Sequence, residues 1–346
     1  MSDKKYTYAV FIGRFQPFHN GHKRAIDAAL QIAEKVIIVI GSADQPRTPK
    51  NPWTAAERAS MIIAEDFDGQ ISRIKITKVR DQKYNDQKWT ATIQQAVIDA
   101  TLTDGWRDKT TFCLVGHNKD ESSYYLKMFP QWNLVEHEMD EMVSATDLRA
   151  VYFEGKNLKF LQSLVPAHVY SQLETFRKTK EFEVLVREGE YLTKYKKSWE
   201  AAPYPVTLVT TDAVVVQAGH VLLVQRGAVP GEGTWALPGG YLNQSEAMEE
   251  GMIRELREET KLKVPAPVLK GSIKASKVFD YPERSLRGRV ITNAFLIELP
   301  AGELPKVKGD SDARHAKWFP ISEAMRMNDL MFEDHADIIS YFLGRV

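Results

Sequence analysis

Apolar runs alternate with amphipathic segments throughout the first half of the chain. Runs rich in apolar and β-branched residues predict strands, and apolar residues that recur about every 3.6 positions predict helices. The predicted strands are 6–13, 35–41, 74–79 and 111–116, and the predicted helices are 21–34, 54–66, 90–101 and one or two within 165–187. This alternation is typical of a doubly wound parallel sheet in an α/β fold.

The pattern changes after a densely charged segment that ends near two prolines. Residues 188–203 are therefore predicted to link a first domain, 1–187, to a second domain, 204–346. In the second domain, strands are predicted at 206–216, 221–225, 268–275 and 289–299, and helices at 245–260, 321–327 and 334–342. This order predicts an α/β sandwich built on a mixed sheet.

Composition narrows the classes of protein. The 346 residues include 46 basic and 46 acidic side chains, so the net charge of zero argues against a nucleic-acid-binding protein. The strongly apolar run 36–40 is too short to cross a membrane. The only cysteine, Cys113, lies in an apolar run and is predicted to be buried. These features predict a cytoplasmic protein, and they leave the oligomeric state open, a homodimer included.

The junction of the first strand and first helix carries the sequence Gly-Arg-Phe-Gln-Pro-Phe-His-Asn-Gly-His, residues 13–22. Ligands of open α/β sheets bind at such strand ends, and a helix N-terminus attracts phosphate. Gly13 and Gly21 allow close backbone approach, while His19 and His22 offer donors to a phosphate. A capping or surface role for the histidines is the alternative.

This segment resembles the HxGH signature of the adenylyl- and cytidylyltransferases, and its longer form resembles archaeal-type nicotinamide mononucleotide (NMN) adenylyltransferases. The sequence Ser-Ala-Thr-Asp-Leu-Arg at 144–149 resembles the motif with which this Rossmann-like family holds ATP phosphates. The resemblance covers about residues 6–175. The residues it assigns to ATP and phosphate binding are Gly13, Arg14, Phe15, Gly21, Gly116, Thr146 and Arg149.

The same resemblance implies an NMN pocket and a mechanism. Asn51, Trp53 and Arg58 would line the pocket, and Trp89 would stack on the nicotinamide, although both tryptophans are equally expected as core residues. The NMN phosphate would attack the α-phosphorus of ATP, with His19, His22 and Arg149 as catalytic residues and Mg²⁺ on the ATP phosphates. Residues 116–120 would border the adenine and ribose. Pantetheine phosphate and riboflavin phosphate remain alternative substrates, and nicotinic acid mononucleotide remains an open one.

The helix predicted at 245–260 is rich in acidic residues. Glu255, Glu258 and Glu259 are spaced i, i+3 and i+4, so their carboxylates share one face and repel one another. A divalent cation with hard oxygen ligands would relieve this repulsion and could activate water. A solvated face with ion pairs is the alternative.

The spacing around this helix resembles the Nudix box, Gly-x5-Glu-x7-Arg-Glu-U-x-Glu-Glu-x-Gly-U, where U is an aliphatic residue. The matching positions are Gly240, Glu246, Arg254, Glu255, Glu258 and Glu259. The resemblance covers about residues 204–346 and assigns the metal, Mg²⁺ or Mn²⁺, to Glu255, Glu258 and Glu259. Glu255 and Glu258 are thereby also catalytic. Lys261 replaces the second glycine of the box, which costs about 1 kcal/mol if its φ stays positive.

The substrate of the second domain is inferred from a weaker resemblance in sequence. Residues 279–290 resemble a segment of ADP-ribose-directed Nudix proteins, and their arginines could bind phosphates or simply form an exposed basic loop. The sequence therefore predicts a bifunctional enzyme that makes NAD from NMN and ATP and cuts ADP-ribose to AMP and ribose 5-phosphate. A Nudix half that senses nucleotides, or cuts another nucleoside diphosphate derivative, is the alternative.

Overall fold

The computed structural model describes residues 4–105, 110–117, 121–136, 144–155 and 158–344. Contacts between Cα atoms divide the chain into two compact units, Met1–Val186 and Arg187–Val346. In the described part of the chain, no helix is long and apolar enough to cross a membrane.

The first unit is built on a five-stranded parallel sheet in the order β3-β2-β1-β4-β5. Its strands are β1 (Tyr6–Gly13), β2 (Ala33–Ile40), β3 (Ile74–Lys78), β4 (Phe112–Gly116) and β5 (Asn133–Glu136). Its helices are α1 (Asn20–Ile32), α2 (Ala55–Ile63), α3 (Asp86–Leu102), α4 (Ala145–Glu154) and α5 (Ala167–Phe176). The predicted doubly wound parallel sheet is thereby confirmed.

Both faces of this sheet are covered, as the apolar sequence of β2 indicates. Ala9 and Phe11 of β1 face one apolar core, and Tyr8, Val10 and Ile12 face a second core on the opposite side. The cause is the period of two along a strand, which sends successive side chains to opposite faces. Cys113 is fully buried in the first of these cores.

The second unit contains a mixed sheet in the order β10-β11-β6-β7-β12, in which only β11 and β6 run parallel. Its strands are β6 (Thr207–Gln217), β7 (His220–Arg226), β8 (Trp235–Ala236), β9 (Gly239–Tyr241), β10 (Ile273–Phe279), β11 (Arg289–Glu298) and β12 (Ala313–Pro320). Its helices are α7 (Met248–Thr260), α8 (Ala266–Gly271), α9 (Ile321–Ala324) and α10 (His335–Leu343). The predicted sandwich with a mixed sheet is confirmed.

The second unit differs from the sequence prediction in several segments. The strand predicted at 268–275 is wrong in its first half, because helix α8 occupies Ala266–Gly271 and β10 begins only at Ile273. A proline within the first turn favours a helix start there, since its φ is already helical. Strand β12 was not predicted, because charged and aromatic residues interrupt its apolar pattern.

Helix α6 (Lys180–Ser198) runs through the predicted domain boundary. Residues Lys180–Val186 belong to the first unit, and the remainder of the helix belongs to the second. Most of the predicted linker, 188–203, is thus helical, and Leu192 is buried. The exact domain limits stay a prediction.

Candidate functional sites

The 13–22 motif lies where the strand order of the first sheet reverses. Strands β2 and β3 lie on one side of β1, and β4 and β5 lie on the other, so the crevice opens between β1 and β4. Gly13 ends β1 and Gly116 ends β4. A Cβ on Gly116 would lie 2.5 Å from Leu126, and a Cβ on Gly13 would lie 2.9 Å from the Phe15 ring. Because both positions lack a Cβ, the neighbouring side chains can pack closely against the backbone at the ends of β1 and β4.

His19 and His22 form a stacked pair at the start of α1. Their ring centroids are 3.6 Å apart, and each Nδ1 accepts a hydrogen bond from the other residue's backbone N–H, at 3.4 and 3.3 Å. Burial lowers the pKa of His19 to about 4 and that of His22 well below its usual value. Two neutral rings with Nδ1 as acceptor carry their protons on Nε2, so each can donate to a phosphate. Capping and donor roles are therefore compatible in the same pair.

Arg149 joins the 144–149 motif to the 13–22 motif. Its guanidinium donates to the backbone carbonyl of Gln16 at 2.8 Å and to the Thr146 hydroxyl at 3.2 Å. Burial and the nearby Arg14 lower its pKa only to about 10, so it stays cationic. The structure thus brings together the two motifs that the sequence places far apart.

Arg58 lies beneath the loops that follow β1 and β2. Its buried guanidinium donates to the carbonyl oxygens of Thr54, Arg14, Gly41 and Ser42 at 2.6–3.2 Å. Every nitrogen of the guanidinium is used in this way, so the observed arrangement braces the loops of the predicted NMN pocket. A direct contact of Arg58 with NMN stays a prediction.

Asn51 and Trp53 present polar atoms that lack protein partners. Asn51 Oδ1 and Trp53 Nε1 are both buried and without a hydrogen bond in the described residues. The Trp53 ring packs against Tyr152 and Phe176, with centroids 5.4 and 5.9 Å apart. Since buried polar atoms are rarely left unpaired, this acceptor and this donor indicate a ligand.

Other predicted residues of the first unit lie further from this pair. Trp89 packs against Tyr125 and Phe129 in the core on the opposite face of the sheet from Trp53. The structure therefore does not bring the two tryptophans together, and stacking by Trp89 stays a prediction. Phe15 is buried edge-on to His22, whereas Arg14 is exposed. A Cβ on Gly21 would lie 3.1 Å from the His19 ring, and residues 118–120 lie outside the described residues.

The sequence analysis did not identify Asp81 as a residue that fixes the loops around the predicted NMN pocket. Its carboxylate accepts hydrogen bonds from the backbone N–H and hydroxyl of Ser42, at 3.1 and 2.5 Å, and from Gln45 at 3.3 Å. It thereby joins the segments that follow β2 and β3. Its position just past a predicted strand was the signal that could have identified it.

In the second unit, the acidic helix α7 packs against β9 at Gly240. A Cβ on Gly240 would lie 2.5 Å from the Glu255 carboxylate, so only glycine lets the strand approach this helix. Arg254 donates to Glu246 at 2.6 and 3.0 Å, to Glu255 at 2.8 Å and to Glu258 at 3.1 Å. The arginine thereby braces the helix and partly neutralises its acidic face.

Glu259 is the most buried carboxylate of this face. It accepts a hydrogen bond from the Gly239 N–H at 2.9 Å. Burial, with the nearby Glu255 and Asp212, raises its pKa to about 8. Among the described residues no three His, Cys, Asp or Glu side chains already form a metal cluster. Burial therefore favours the protonated form of this carboxyl group near neutral pH.

Lys261 occupies the position of the missing glycine at the end of α7. Its φ is 51°, the left-handed conformation that the box glycine would adopt, and its ammonium pairs with Asp310 at 2.5 Å. The condition for the strain cost of about 1 kcal/mol, a positive φ at a residue with a Cβ, is therefore met.

The segment 279–290 contains arginines with different surroundings. Arg284 is buried and forms two hydrogen bonds with Asp334, at 2.7 and 2.9 Å, so it is part of the core. Arg289 donates to the Asp280 carbonyl at 2.5 Å. Only Arg287 of the three contacts the box region, through a 3.0 Å hydrogen bond to the Tyr241 hydroxyl.

The chain resembles known proteins over both units. The Cytidylyltransferase-like family matches residues 10–151, and the NUDIX domain family matches residues 207–342. A nicotinamide/nicotinic acid mononucleotide adenylyltransferase of Acinetobacter baylyi is 42% identical over 49% of this chain and 93% of its own length. An ADP-ribose pyrophosphatase of Methanocaldococcus jannaschii is 33% identical over 39% of this chain and 72% of its own length.

Solved structures match both units at once. One of them is a bifunctional NMN adenylyltransferase/ADP ribose pyrophosphatase from Francisella tularensis, complexed with AMP and a Mn ion. The identity is 34% and the TM-score 0.87, with 98% of this chain and 99% of that chain covered. This chain belongs to that bifunctional family.

The NUDIX domain contains further polar residues that the sequence reading missed. His335 accepts a hydrogen bond at Nδ1 from the Leu237 N–H at 2.8 Å, in the loop that leads into the box. Asp212, beside Glu259, accepts a 2.5 Å hydrogen bond from Thr292. These contacts fix the backbone around Gly239 and Gly240, and they join segments too distant in sequence to be recognised by spacing.

Proposed function

We propose that the two domains carry the two activities that the family name states. The first domain would transfer AMP from ATP to NMN, which yields NAD and pyrophosphate. The second would hydrolyse ADP-ribose to AMP and ribose 5-phosphate. The observation that carries the first assignment is the neutral histidine pair beside Arg149, and the carboxylates around Glu259 carry the second.

In the first domain, the described groups suit an in-line attack of the NMN phosphate on the α-phosphorus of ATP. His19 and His22 would donate from Nε2, and Arg149 would supply a fixed positive charge. The start of α1 adds its own partial positive charge. These groups are positioned before the reaction, so they stabilise developing negative charge without reorganisation. Mg²⁺ would arrive on the ATP phosphates.

The unpaired atoms of Asn51 and Trp53 support a substrate with a carboxamide. A nicotinamide group offers N–H donors for Asn51 Oδ1 and a carbonyl acceptor for Trp53 Nε1. Neither atom has another partner among the described residues. A substrate that lacked such a group would leave both atoms buried and unpaired, at about 1–3 kcal/mol each.

In the NUDIX domain, Glu255, Glu258 and Glu259 would hold a divalent cation, Mg²⁺ or Mn²⁺. The residues fit a cation, because their carboxylates share one face of α7 and supply hard oxygen ligands. A bound cation would neutralise the diphosphate and acidify a water molecule. Arg254 would keep Glu255 oriented, and Gly240 lets strand β9 lie close to the Glu255 carboxylate.

The transferase assignment is tested by product analysis with His22→Ala. The purified chain receives NMN, ATP and Mg²⁺, and a parallel reaction receives nicotinic acid mononucleotide. Loss of NAD formation with ADP-ribose cleavage retained is expected, because the substitution removes a phosphate donor from the first domain only. NAD formation at the unaltered rate would contradict a role of His22.

The hydrolase assignment is tested by Glu258→Gln, with Glu183→Gln on α6 as a matched control outside the box. ADP-ribose, with Mg²⁺ or Mn²⁺, should yield AMP and ribose 5-phosphate from the unaltered chain and the control. The Glu258→Gln variant should lose this cleavage and keep NAD formation. If the unaltered chain binds ADP-ribose without cleaving it, the domain is a sensor.

A further inference from the structure

Helix α6 carries an aromatic stripe on the part that belongs to the second unit. Its members are spaced four residues apart and lie on one side: Tyr191 and Tyr195 within the helix, and Trp199 directly after its last residue. The Tyr191 and Tyr195 rings stack with centroids 5.9 Å apart, and Trp199 meets Tyr195 edge-on at 6.2 Å. The sequence reading treated this segment as a linker, so the stripe had no function assigned.

The stripe reaches the Nudix box through Tyr195. Its hydroxyl lies 2.9 Å from the hydroxyl of Tyr241, the residue that follows Gly240. Arg287 donates to the same Tyr241 hydroxyl at 3.0 Å, and the centre of its guanidinium lies 5.4 Å from the Tyr241 ring centroid. The Glu333 carboxylate in turn accepts a 3.3 Å hydrogen bond from the Arg287 guanidinium. Tyr241 is therefore fixed from two sides.

Tyr241 is partly exposed to solvent close to the carboxylates of α7. Its exposed fraction is 37%. A Cβ on the preceding Gly240 would lie 2.5 Å from the Glu255 carboxylate, and the Tyr241 carbonyl accepts a 3.2 Å hydrogen bond from Arg254. A group attached to a diphosphate bound at these carboxylates must therefore pass near Tyr241 and Arg287.

We propose that Tyr241 and Arg287 form a platform on which the nucleobase of the NUDIX substrate stacks, and that Tyr195 of α6 is its positioning residue. This rests on the proposed hydrolysis of a nucleoside diphosphate. A flat aromatic ring beside a guanidinium matches the face of a planar base, whereas a ribose offers only hydroxyl groups to bind. The helix that the sequence reading assigned to a linker would thus be part of the NUDIX substrate site.

The role of Tyr195 follows from the hydrogen bonds of the Tyr241 hydroxyl. With Tyr195 present, this oxygen interacts with Arg287 on one side and with the Tyr195 hydroxyl on the other. Tyr195→Phe removes one of the two while preserving the ring and its stacking. The Tyr241 ring then turns more freely, so we expect base binding to weaken about 3- to 10-fold.

The experiment measures product inhibition of ADP-ribose hydrolysis by the full chain. AMP carries the base, and ribose 5-phosphate carries only the sugar, so the two inhibitors separate the two ends of the substrate. Release of the other product is followed in each case by chromatography. The variants are Tyr195→Phe and Tyr241→Ala. The control is Tyr191→Phe, which removes a hydroxyl that makes no hydrogen bond within the described residues.

Tyr195→Phe should weaken AMP inhibition about 3- to 10-fold and raise KM, with kcat and ribose 5-phosphate inhibition unchanged. Tyr241→Ala should weaken AMP inhibition further, and Tyr191→Phe should match the unaltered chain. Weaker inhibition by ribose 5-phosphate alone, an equal loss for both products, or no change in either would each overturn the proposal. Absence of hydrolysis by the unaltered chain would instead contradict the proposed function.

Discussion

Replacing Arg284 with Met should destabilise the NUDIX domain by about 3–5 kcal/mol, because it removes the positive charge that faces the buried Asp334 carboxylate. The pair is joined by two hydrogen bonds, and its side chains are 2% and 0% exposed. Asp334→Leu should cost a similar amount, since it leaves the guanidinium unpaired. The double variant, which removes both charges, should recover most of the loss.

Hydrogen exchange of peptides from β6 and β11 reports this domain separately from the first, which a single global unfolding curve would not. At a temperature where Arg284→Met is folded, its KM for ADP-ribose should stay near that of the unaltered chain. Arg287→Ala should instead raise KM with little loss of stability. A stable Arg284→Met variant with a raised KM would refute the assignment of Arg284 to the core.

Three further results are expected. Burial lowers the pKa of His19 from about 6.5 in the unfolded chain to about 4 in the folded one, so on acidification the unfolded state takes up a proton first. Lowering the pH from 7 to 5 should therefore reduce the free energy of unfolding of the first domain by about 2 kcal/mol. In urea titrations, the His19→Asn variant should show a smaller reduction. Lys261→Gly should stabilise the NUDIX domain by about 0.5–1 kcal/mol in thermal unfolding, since φ is 51°. A divalent cation at 100 times its Kd should raise the free energy of unfolding of the NUDIX domain alone, by about 2.7 kcal/mol. The affinity for the cation, measured by calorimetry, should rise towards pH 8 as Glu259 loses its proton.

Elements with strong local patterns were predictable from the sequence. The continuous apolar runs of β1 and β2 and the spaced glutamates of α7 were recognised, because strand and helix periods are properties of neighbouring residues. Short elements such as α8 carry too few residues for a period to emerge.

Partners distant in sequence were not predictable in the same way. Arg284 and Arg287 look equivalent in the sequence, yet one pairs with Asp334 in the core and the other reaches Tyr241. Their difference depends on α10 and β9, which folding brings together. Tyr195 is a different case. Its helical spacing from Tyr191 can be recognised in the sequence, but the many charged residues of the segment favoured the interpretation as a linker.

The two domains provide opposite charge for the same chemical group, a phosphate anhydride. The first offers the neutral donors His19 and His22 with the cation Arg149, so its own side chains favour an anionic substrate. The second offers the carboxylates of Glu255 and Glu259, whose pKa values are raised by burial first and then by neighbouring carboxylates. Negative charge on this face of α7 would repel the substrate until a cation is bound. We therefore expect the metal dependence of the NUDIX domain to follow from the three carboxylates that α7 places on one face.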